Sequence, residues 1–283
     1  MSRTHSRRIP ALAFCLASMF SLAAQAEEIT LPMSDGGSLQ AHWFPAPTSE
    51  ARATVVALHG CGGLYQRDGK TLDSRYPDYV EFLHSRGYHV LLPDSLGSRG
   101  SGPLCSLKYR DRKVNFEMRR NDVIDAVNWA ARQPQVDAKR IALLGWSHGA
   151  MTTLTAIDSS RPGAPAIAGA AMFYPGCGAI SKRNDYRVEV PTLMMLGAKD
   201  DWTAPASCEK LAKRLANEDP AREFRLVVYP DSVHAFDSKN PVRARSDVPN
   251  GVDKSGVHVG GNPVAREASR AELDLFLQRI FKP

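Results

Sequence analysis

Residues 140–149 read Arg-Ile-Ala-Leu-Leu-Gly-Trp-Ser-His-Gly, and this stretch decides the fold of the chain. The apolar run at 141–144 is suited to a buried strand, and the residues after Gly149 favour a helix. A G-x-S-x-G motif between a strand and a helix is typical of a nucleophile elbow, in which a sharp turn lifts the serine hydroxyl above the sheet. The turn brings neighbouring chains so close that a Cβ at Gly145 or Gly149 would clash. We therefore predict that Ser147 is a nucleophile held at the N-terminal end of a helix.

Short apolar runs alternate with helical patterns along the rest of the chain. The predicted strands cover residues 28–31, 39–44, 54–58, 89–92, 141–144, 166–173, 192–196 and 225–229. The predicted helices, besides the one that follows the elbow, cover residues 75–86, 114–132, 205–216 and 265–281. This alternation predicts an α/β protein with a mostly parallel central sheet, helices on both faces and an N-terminal antiparallel hairpin.

Two long stretches, 97–113 and 237–262, carry neither pattern and are rich in Gly, Pro and Arg. Ordered loops of this length in a compact domain are usually functional or mobile. We expect both to leave the sheet at the carboxyl ends of its strands, where the ligand site of such a sheet lies.

The first 26 residues are typical of a cleaved secretory signal. Three arginines in the first eight residues are followed by an apolar core at 11–24 and by Ala-Gln-Ala at 24–26, a suitable cleavage site. The apolar core is too short to span a bilayer stably, so we expect no stable membrane anchor. We expect one mature domain of residues 27–283 in the periplasm or outside the cell.

Composition narrows the class of partner. The formal net charge is +6, and removal of the three signal arginines leaves about +3. A charge this small, without a block of Lys and Arg, gives no reason to expect a nucleic-acid partner. The cysteine spacings fit no metal or redox motif, so we expect no metal site.

Four of the five cysteines lie after the signal: Cys61, Cys105, Cys177 and Cys208. An even number in an exported protein predicts disulfides, and four cysteines allow three pairings. We expect Cys61–Cys105 and Cys177–Cys208, because each pair would link loops at the same edge of the sheet.

A serine nucleophile requires a base, which is usually a histidine oriented by a carboxylate. Three histidines follow Ser147 in the chain: His148, His234 and His258. The side chain of His148, inside the elbow, should point away from the Ser147 hydroxyl, and His258 lies in a Gly-rich stretch with no strand before it. His234 follows the predicted strand 225–229 at the carboxyl edge of the sheet, so we predict that it is the base.

Two neighbouring carboxylates compete to orient the base. Asp200 and Asp201 both follow the predicted strand 192–196. We favour Asp200, which is closer to the strand, and expect Asp201 to cap the next helix or to bond within the loop. Asp231 is too near His234 along the chain to face its ring.

Acyl transfer also requires donors for the oxyanion that forms on the substrate. In this kind of site the donors are the backbone N–H after the serine, here that of His148, and an N–H after an early strand. Residues 59–63 provide such a Gly-rich turn, and we predict the Cys61 N–H as the second donor. A plain turn, or a role of Cys61 in a disulfide, is compatible with the same residues. A metal site formed by His59, His148 and His234 is disfavoured by their spacing.

Further side chains are candidates for substrate contacts. Trp146 and Trp202 flank the proposed triad and could line an acyl pocket, although buried packing is the more common role. Five basic residues crowd the first long loop: Arg99, Lys108, Arg110, Arg112 and Lys113. They could recognise a substrate carboxylate, but we favour a solvated basic loop. Arg119 and Asp122, three residues apart on a predicted helix, are expected to form a structural pair.

Five motifs together resemble the dienelactone hydrolase family. They are Gly-Trp-Ser-His-Gly at 145–149, His-Gly-Cys-Gly-Gly at 59–63, Pro-Asp-Ser-Leu-Gly-Ser-Arg-Gly at 93–100, Gly-Ala-Lys-Asp-Asp-Trp at 197–202 and His-Ala-Phe at 234–236. The resemblance runs from about residue 58 to the last predicted helix. It implies a single-domain α/β-hydrolase fold without a metal or organic cofactor, acting on a small-molecule ester substrate. The enzyme that names the family has a cysteine nucleophile, whereas this chain has Ser147, and ester hydrolysis remains the implied reaction.

The sequence therefore predicts a secreted serine hydrolase that cleaves a small carboxylic ester or lactone. A peptidase of the prolyl-oligopeptidase type shares the elbow and the order of the triad, but it normally carries a further domain that restricts access, and we see no segment for one. A non-catalytic binding protein on the same fold usually lacks a triad residue, whereas candidates for all three are present here.

Overall fold

The computed structural model of this protein describes residues 26–48, 50–221, 223–253 and 255–282. Apart from Ala26, the predicted signal peptide lies outside the described residues. Within the described ranges, none of the helices combines the length and the apolar composition that crossing a bilayer requires.

Eight of the strands form one sheet, and two short ones pair separately. In chain order the strands are β1 (Glu27–Pro32), β2 (Ser38–Phe44), β3 (Arg52–Leu58), β4 (His89–Pro93), β5 (Val136–Trp146), β6 (Gly169–Phe173), β7 (Thr192–Gly197), β8 (Phe224–Tyr229), β9 (Arg243–Arg245) and β10 (Val257–Val259). The order across the large sheet is β1-β2-β4-β3-β5-β6-β7-β8. Its pairs are parallel from β4 to β8, while β2 is antiparallel to both β1 and β4. The predicted fold class and the N-terminal hairpin are confirmed.

Helices cover both faces of this sheet. They are α1 (Arg75–His84), α2 (Phe116–Ala131), α3 (His148–Ala156), α4 (Ala206–Glu218) and α5 (Pro263–Ile280). Apolar residues of α1 and α5 belong to the core on one face, and those of α2, α3 and α4 belong to the core on the other.

Strand β3 shows how the sequence produces these two cores. Val55 and Ala57 pack on the face covered by α1 and α5, whereas Val56 and Leu58 pack on the opposite face. Successive side chains of a strand point to opposite faces, so a strand buried on both sides needs a continuous apolar run. The same rule applies to β5, which ends at the elbow and holds it at the carboxyl edge of the sheet.

The two long stretches differ from the prediction in their degree of order. The segment 237–262 contains β9 and β10, which pair antiparallel, and it ends at Asn262, whose side chain accepts the first free N–H groups of α5. His258 thus lies in a strand, and not in the unstructured stretch that was expected. The segment 97–113 contains two short 3-10 turns and is joined to residue 61 by a disulfide.

Candidate active site

Ser147 occupies a strained turn between β5 and α3. Its φ of 53° and ψ of −113° lie in a region that residues other than glycine rarely adopt. A Cβ at Gly145 would lie 2.6 Å from the Gly149 carbonyl oxygen. A Cβ at Gly149 would lie 2.7 Å from the His59 carbonyl oxygen and closer still to that of Leu58. The close approach that the motif predicted is therefore present at both glycines.

Ser147, His234 and Asp200 form a continuous hydrogen-bonded chain. The Ser147 Oγ lies 2.9 Å from Nε2 of His234, and Nδ1 of His234 lies 2.8 Å from Oδ2 of Asp200. His234 follows β8 and Asp200 follows β7, so parallel neighbouring strands bring both residues to the same edge as the elbow. His234 and Asp200 are almost completely buried. The structure thus brings together the three residues that the sequence predicted for a triad.

Asp200 is held as an ionised hydrogen-bond acceptor. Its Oδ1 accepts from the backbone N–H groups of Trp202 at 2.9 Å and Thr203 at 2.8 Å. The Thr203 hydroxyl lies 2.9 Å from Oδ2 of Asp200 and 3.1 Å from Nδ1 of His234. Burial alone would raise the pKa of Asp200, but the charge of His234 and these hydrogen bonds hold that pKa below its ordinary value.

Asp201 faces away from the triad and binds the segment that carries β10. Its Oδ2 lies 2.7 Å from Nδ1 of His258, and its Oδ1 accepts from the His258 backbone N–H at 2.8 Å. The Asp201 carbonyl also accepts from the Val252 N–H at 2.8 Å. The expectation that Asp201 caps the next helix or bonds within its own loop is therefore wrong, because its carboxylate bonds His258 of β10, away from Ser147. Asp231, the other carboxylate considered, pairs with Lys199 on the surface.

The turn at residues 60–63 lies beside the elbow and is held from several sides. The Tyr76 hydroxyl accepts from the Gly60 N–H at 3.2 Å and donates to the Gly63 carbonyl at 3.1 Å. Burial raises the pKa of Tyr76 to about 12, so the hydroxyl keeps the proton that it donates. The Cys61 carbonyl accepts from the Leu104 N–H at 2.7 Å. Among the described residues, neither the Cys61 N–H nor the His148 N–H has a hydrogen-bond acceptor.

A cavity of about 240 Å³ opens over Ser147 and His234. Trp146 and Trp202 both contribute to its wall, and the Trp202 ring lies 4.6 Å from the His234 ring, centroid to centroid. Trp146 is nearly fully buried, so most of its ring packs in the core. The charged residues around the cavity are Asp73, Arg75, Asp78, Asp237, Lys239, Arg243 and Arg245.

Arg99 is not in this cavity. Its guanidinium makes two bonds to the Asp122 carboxylate, at 2.8 and 2.6 Å, and one to the Ser95 carbonyl at 3.1 Å. None of the five basic residues of the first long loop borders the cavity. The expected direct pair between Arg119 and Asp122 is wrong, because Asp122 is bound by Arg99 and Arg119 turns toward the elbow.

Asp237 anchors part of the cavity wall that sequence reasoning missed. It is buried, and its carboxylate accepts from the Tyr174 hydroxyl at 2.6 Å and from Nε1 of Trp146 at 3.0 Å. Arg75, the first residue of α1, lies with Nε 3.4 Å from Oδ2 of Asp237. Its position three residues after His234 indicates that Asp237 lies near the site. The local sequence does not indicate that its carboxylate bonds Tyr174 and Trp146.

Both disulfides have the predicted pairing. Cys61–Cys105 joins the turn beside the elbow to the segment 97–113, and Cys177–Cys208 joins the loop after β6 to α4. Over the described ranges, no three His, Cys, Asp or Glu side chains cluster so that they could hold a metal ion.

Part of the chain is similar to two much longer enzymes. It is 25% identical over 248 residues to acylamino-acid-releasing enzyme 1 of Oryza sativa subsp. japonica, covering 72% of this chain and 30% of that enzyme. It is 34% identical over 106 residues to dipeptidyl aminopeptidase BIII of Pseudoxanthomonas mexicana, covering 36% of this chain and 14% of that enzyme. The chain therefore spans less than a third of the length of these curated relatives.

Solved structures share the fold over most of the chain. A dienelactone hydrolase-like promiscuous phosphotriesterase from metagenomic libraries superposes with a TM-score of 0.66 at 17% identity, covering 91% of this chain and 99% of that chain. Esterase 2 of Thermogutta terrifontis superposes with a TM-score of 0.62 at 16% identity, covering 91% of this chain and 96% of that chain. At these identities the likeness shows the fold alone.

The family is shown by the sequence itself. Residues 46–272, which are most of the chain, match the dienelactone hydrolase family. This range contains Ser147, Asp200 and His234, the three residues that the fold brings together. The chain belongs to the dienelactone hydrolase family.

Proposed function

We propose that this protein is a serine hydrolase that cleaves small carboxylic esters or lactones through Ser147, His234 and Asp200. The observation that carries the proposal is the unbroken chain from Ser147 Oγ to His234 Nε2 at 2.9 Å and from His234 Nδ1 to Asp200 Oδ2 at 2.8 Å. Ser147 and His234 line an open cavity, and the hydroxyl is therefore available to a substrate.

The distances support the acyl-transfer steps of a serine triad. As Oγ of Ser147 attacks the ester carbonyl carbon, Nε2 of His234 takes the hydroxyl proton and the carbonyl electron pair moves onto oxygen. When the tetrahedral intermediate collapses, the imidazolium gives that proton to the departing alkoxide and an acyl-enzyme remains. Water then attacks the acyl carbonyl with His234 again as base, which releases the acid and restores the serine. Asp200 holds the ring and stabilises its cationic form.

The proposed oxyanion donors are the backbone N–H groups of Cys61 and His148. Both N–H groups lack an acceptor among the described residues, and both lie at the turn and the elbow that face the cavity. Donors fixed in place before the reaction stabilise the developing charge without reorganising, and each is worth about 10²–10³ in rate.

The charges around the cavity suggest the acyl groups to test first. Lys239 is paired with Asp78, and Arg245 with Asp247. Arg243 has no ion-pair partner among the described residues and borders the cavity. Arg243 of β9, and not Arg99, is therefore the cation that could bind a carboxylate on the acyl group of a substrate. A panel of p-nitrophenyl esters with neutral and anionic acyl chains, measured on wild type and Arg243→Gln, tests this.

A peptidase activity is the second candidate, because the two relatives reported above are named as an acylamino-acid-releasing enzyme and a dipeptidyl aminopeptidase. The discriminating measurement compares an aminoacyl p-nitroanilide with the p-nitrophenyl ester of the same acyl group. Selective cleavage of the ester supports the esterase; comparable kcat/KM values on the two substrates support the peptidase.

We also propose that the protein is exported and that its signal is cleaved after Ala26. The charged and apolar segments at the N-terminus support this, as do two disulfides, which persist in oxidising compartments. A small-molecule ester is the proposed partner, with no nucleic acid and no stable membrane anchor.

Replacement of Ser147 by Ala tests the proposed nucleophile. The variant is expected to lose more than about 10³-fold in kcat on p-nitrophenyl acetate, because no other hydroxyl occupies the elbow. It should also fail to react with a fluorophosphonate probe, which labels wild type. Full activity in Ser147→Ala would exclude the triad, and absence of labelling in wild type would favour a binding protein.

A further inference from the structure

One buried side chain joins the two segments that would hold the oxyanion. Arg119 of α2 donates from Nη2 to the His59 carbonyl at 2.8 Å and from Nη1 to Nδ1 of His148 at 2.6 Å. His59 lies two residues before Cys61, and His148 directly follows Ser147. The guanidinium thus links the loop after β3 to the first residue of α3.

The link to His148 fixes the charge state and the position of that ring. A guanidinium has only donors, so Nδ1 of His148 must accept and the ring must be neutral. Burial, and then the charge of Arg119, lower the pKa of His148 well below its ordinary value, which agrees with a neutral ring. The ring also stacks on Phe116 with centroids 4.4 Å apart, so it is held from two directions.

Stability alone does not account for Arg119. Its side chain is 1% exposed, and Nε has no partner among the described residues. The nearby carboxylate of Asp122 is occupied by Arg99. Burial lowers the pKa of Arg119 to about 10, although the nearby charge of Asp122 acts in the opposite direction. A buried charge held by a carbonyl and a neutral imidazole is often less stable than an apolar residue of similar size.

We propose that Arg119 is a positioning residue that fixes the Cys61 and His148 N–H groups relative to each other. Tyr76 holds the shape of the 60–63 turn, whereas Arg119 holds His59, the residue before that turn, against His148 of the elbow. The inference rests on the proposed function, because the two N–H groups matter only if an oxyanion forms between them.

The test compares Arg119→Met with Arg120→Met. Arg120 is the next residue of α2 and is also largely buried, but it bonds the Pro162 carbonyl and contacts neither segment. The measurements are kcat and KM per titrated active site, melting temperature, and affinity for a trifluoromethyl ketone, whose serine adduct carries the oxyanion. His148→Leu is the second variant, since it removes the acceptor and keeps the backbone N–H.

We expect Arg119→Met and His148→Leu to lower kcat per active site by about 10–100-fold with KM within about threefold, because a small misplacement of catalytic groups has effects of this size. The affinity of both variants for the trifluoromethyl ketone should fall by a similar factor. Arg120→Met should leave kcat, KM and this affinity unchanged.

Several outcomes would overturn the positioning role while the proposed function stands. They are wild-type kcat per site in Arg119→Met, a rise in KM alone, or, should Arg119→Met not fold, wild-type kcat in His148→Leu. Activity in Ser147→Ala would instead remove the proposed function itself, so the two failures are distinguishable.

Discussion

Asp200 and Asp201 are adjacent in the chain but have different hydrogen-bond partners. The two carboxylates are adjacent after β7, yet Asp200 bonds Nδ1 of His234 and Asp201 bonds His258 on the opposite side of the loop. The difference comes from the backbone, since the N–H groups of Trp202 and Thr203 converge on Asp200 and fix its orientation. Sequence proximity to the strand favoured Asp200, but the N–H donors that hold it could not be inferred from spacing.

Asp200→Asn and Asp201→Asn form a matched pair for activity. We expect Asp200→Asn to lower kcat about 10³–10⁴-fold, because the amide cannot stabilise the imidazolium and favours the wrong tautomer of His234. Asp201→Asn should stay within about tenfold of wild type, since it alters only the bond to β10. Steady-state kinetics on p-nitrophenyl acetate measures both, and equal losses in the two variants would contradict the assignment of the acid.

The Asp200 carboxylate should also make the free energy of unfolding depend on pH. The pKa of Asp200 in the folded protein lies below its ordinary value, because the charge of His234 and several hydrogen bonds outweigh the effect of burial. The unfolded chain therefore binds its proton first as pH falls, so the contribution of Asp200 is complete above about pH 5 and is lost below about pH 4. Urea unfolding of wild type and Asp200→Asn should show a difference that shrinks in acid. A difference that grows in acid would contradict the sign.

At the scale of elements, periodicity predicted the strands of the large sheet and the helices that cover it, but not the structure of the segment 237–262. Strands buried on both faces have continuous apolar runs, which identify β3, β5 and β7 and place the residues that follow them. The elbow is identified by its two glycines. The segment 237–262 could not be placed in this way, because β9 and β10 are three residues each and owe their pairing to distant contacts such as Asp201 with His258. The partner of Asp122 was missed for the same reason: Arg99 reaches it from another element.

The two disulfides should differ in what they stabilise. Cys61–Cys105 holds the turn that carries the proposed Cys61 N–H, whereas Cys177–Cys208 joins the loop after β6 to α4, the helix that follows the Asp200 loop. Each closes a loop of 44 or 31 residues, and each is expected to contribute about 4 kcal/mol to the free energy of unfolding. The double variant Cys61→Ser/Cys105→Ser should also lose about tenfold or more in kcat, since the donor loop is freed.

Cys177→Ser/Cys208→Ser is the control for that comparison. It should lose stability by a similar amount and keep kcat within about threefold at a temperature where both variants are folded. Urea unfolding gives the stability, and kinetics per titrated active site gives kcat. Equal kcat in the two double variants would show that the first disulfide stabilises the fold without orienting the donor.

At the scale of the whole molecule, the fold, the disulfides and the N-terminus make one argument about where the protein works. Both disulfides have buried or nearly buried cysteines, and one of them borders the cavity, so a reducing compartment would weaken the site as well as the fold. Export before folding would let both bonds form in the oxidising compartment, and the N-terminal 26 residues have the composition of a signal that achieves it.

Expression of the full chain in a bacterium with a periplasm should therefore yield a soluble periplasmic protein that begins at Glu27. Intact mass and N-terminal peptide mapping measure the cleavage site, and non-reduced peptide mapping should find Cys61 with Cys105 and Cys177 with Cys208. The matched control is the chain from Glu27 expressed in a reducing cytosol, which should carry free thiols and unfold at lower urea concentration, because the chain-entropy contribution of the two disulfides is absent. Retention of residues 1–26 in the membrane fraction would contradict the proposed signal cleavage. Equal stability of oxidised and reduced chains would contradict the link between compartment and fold.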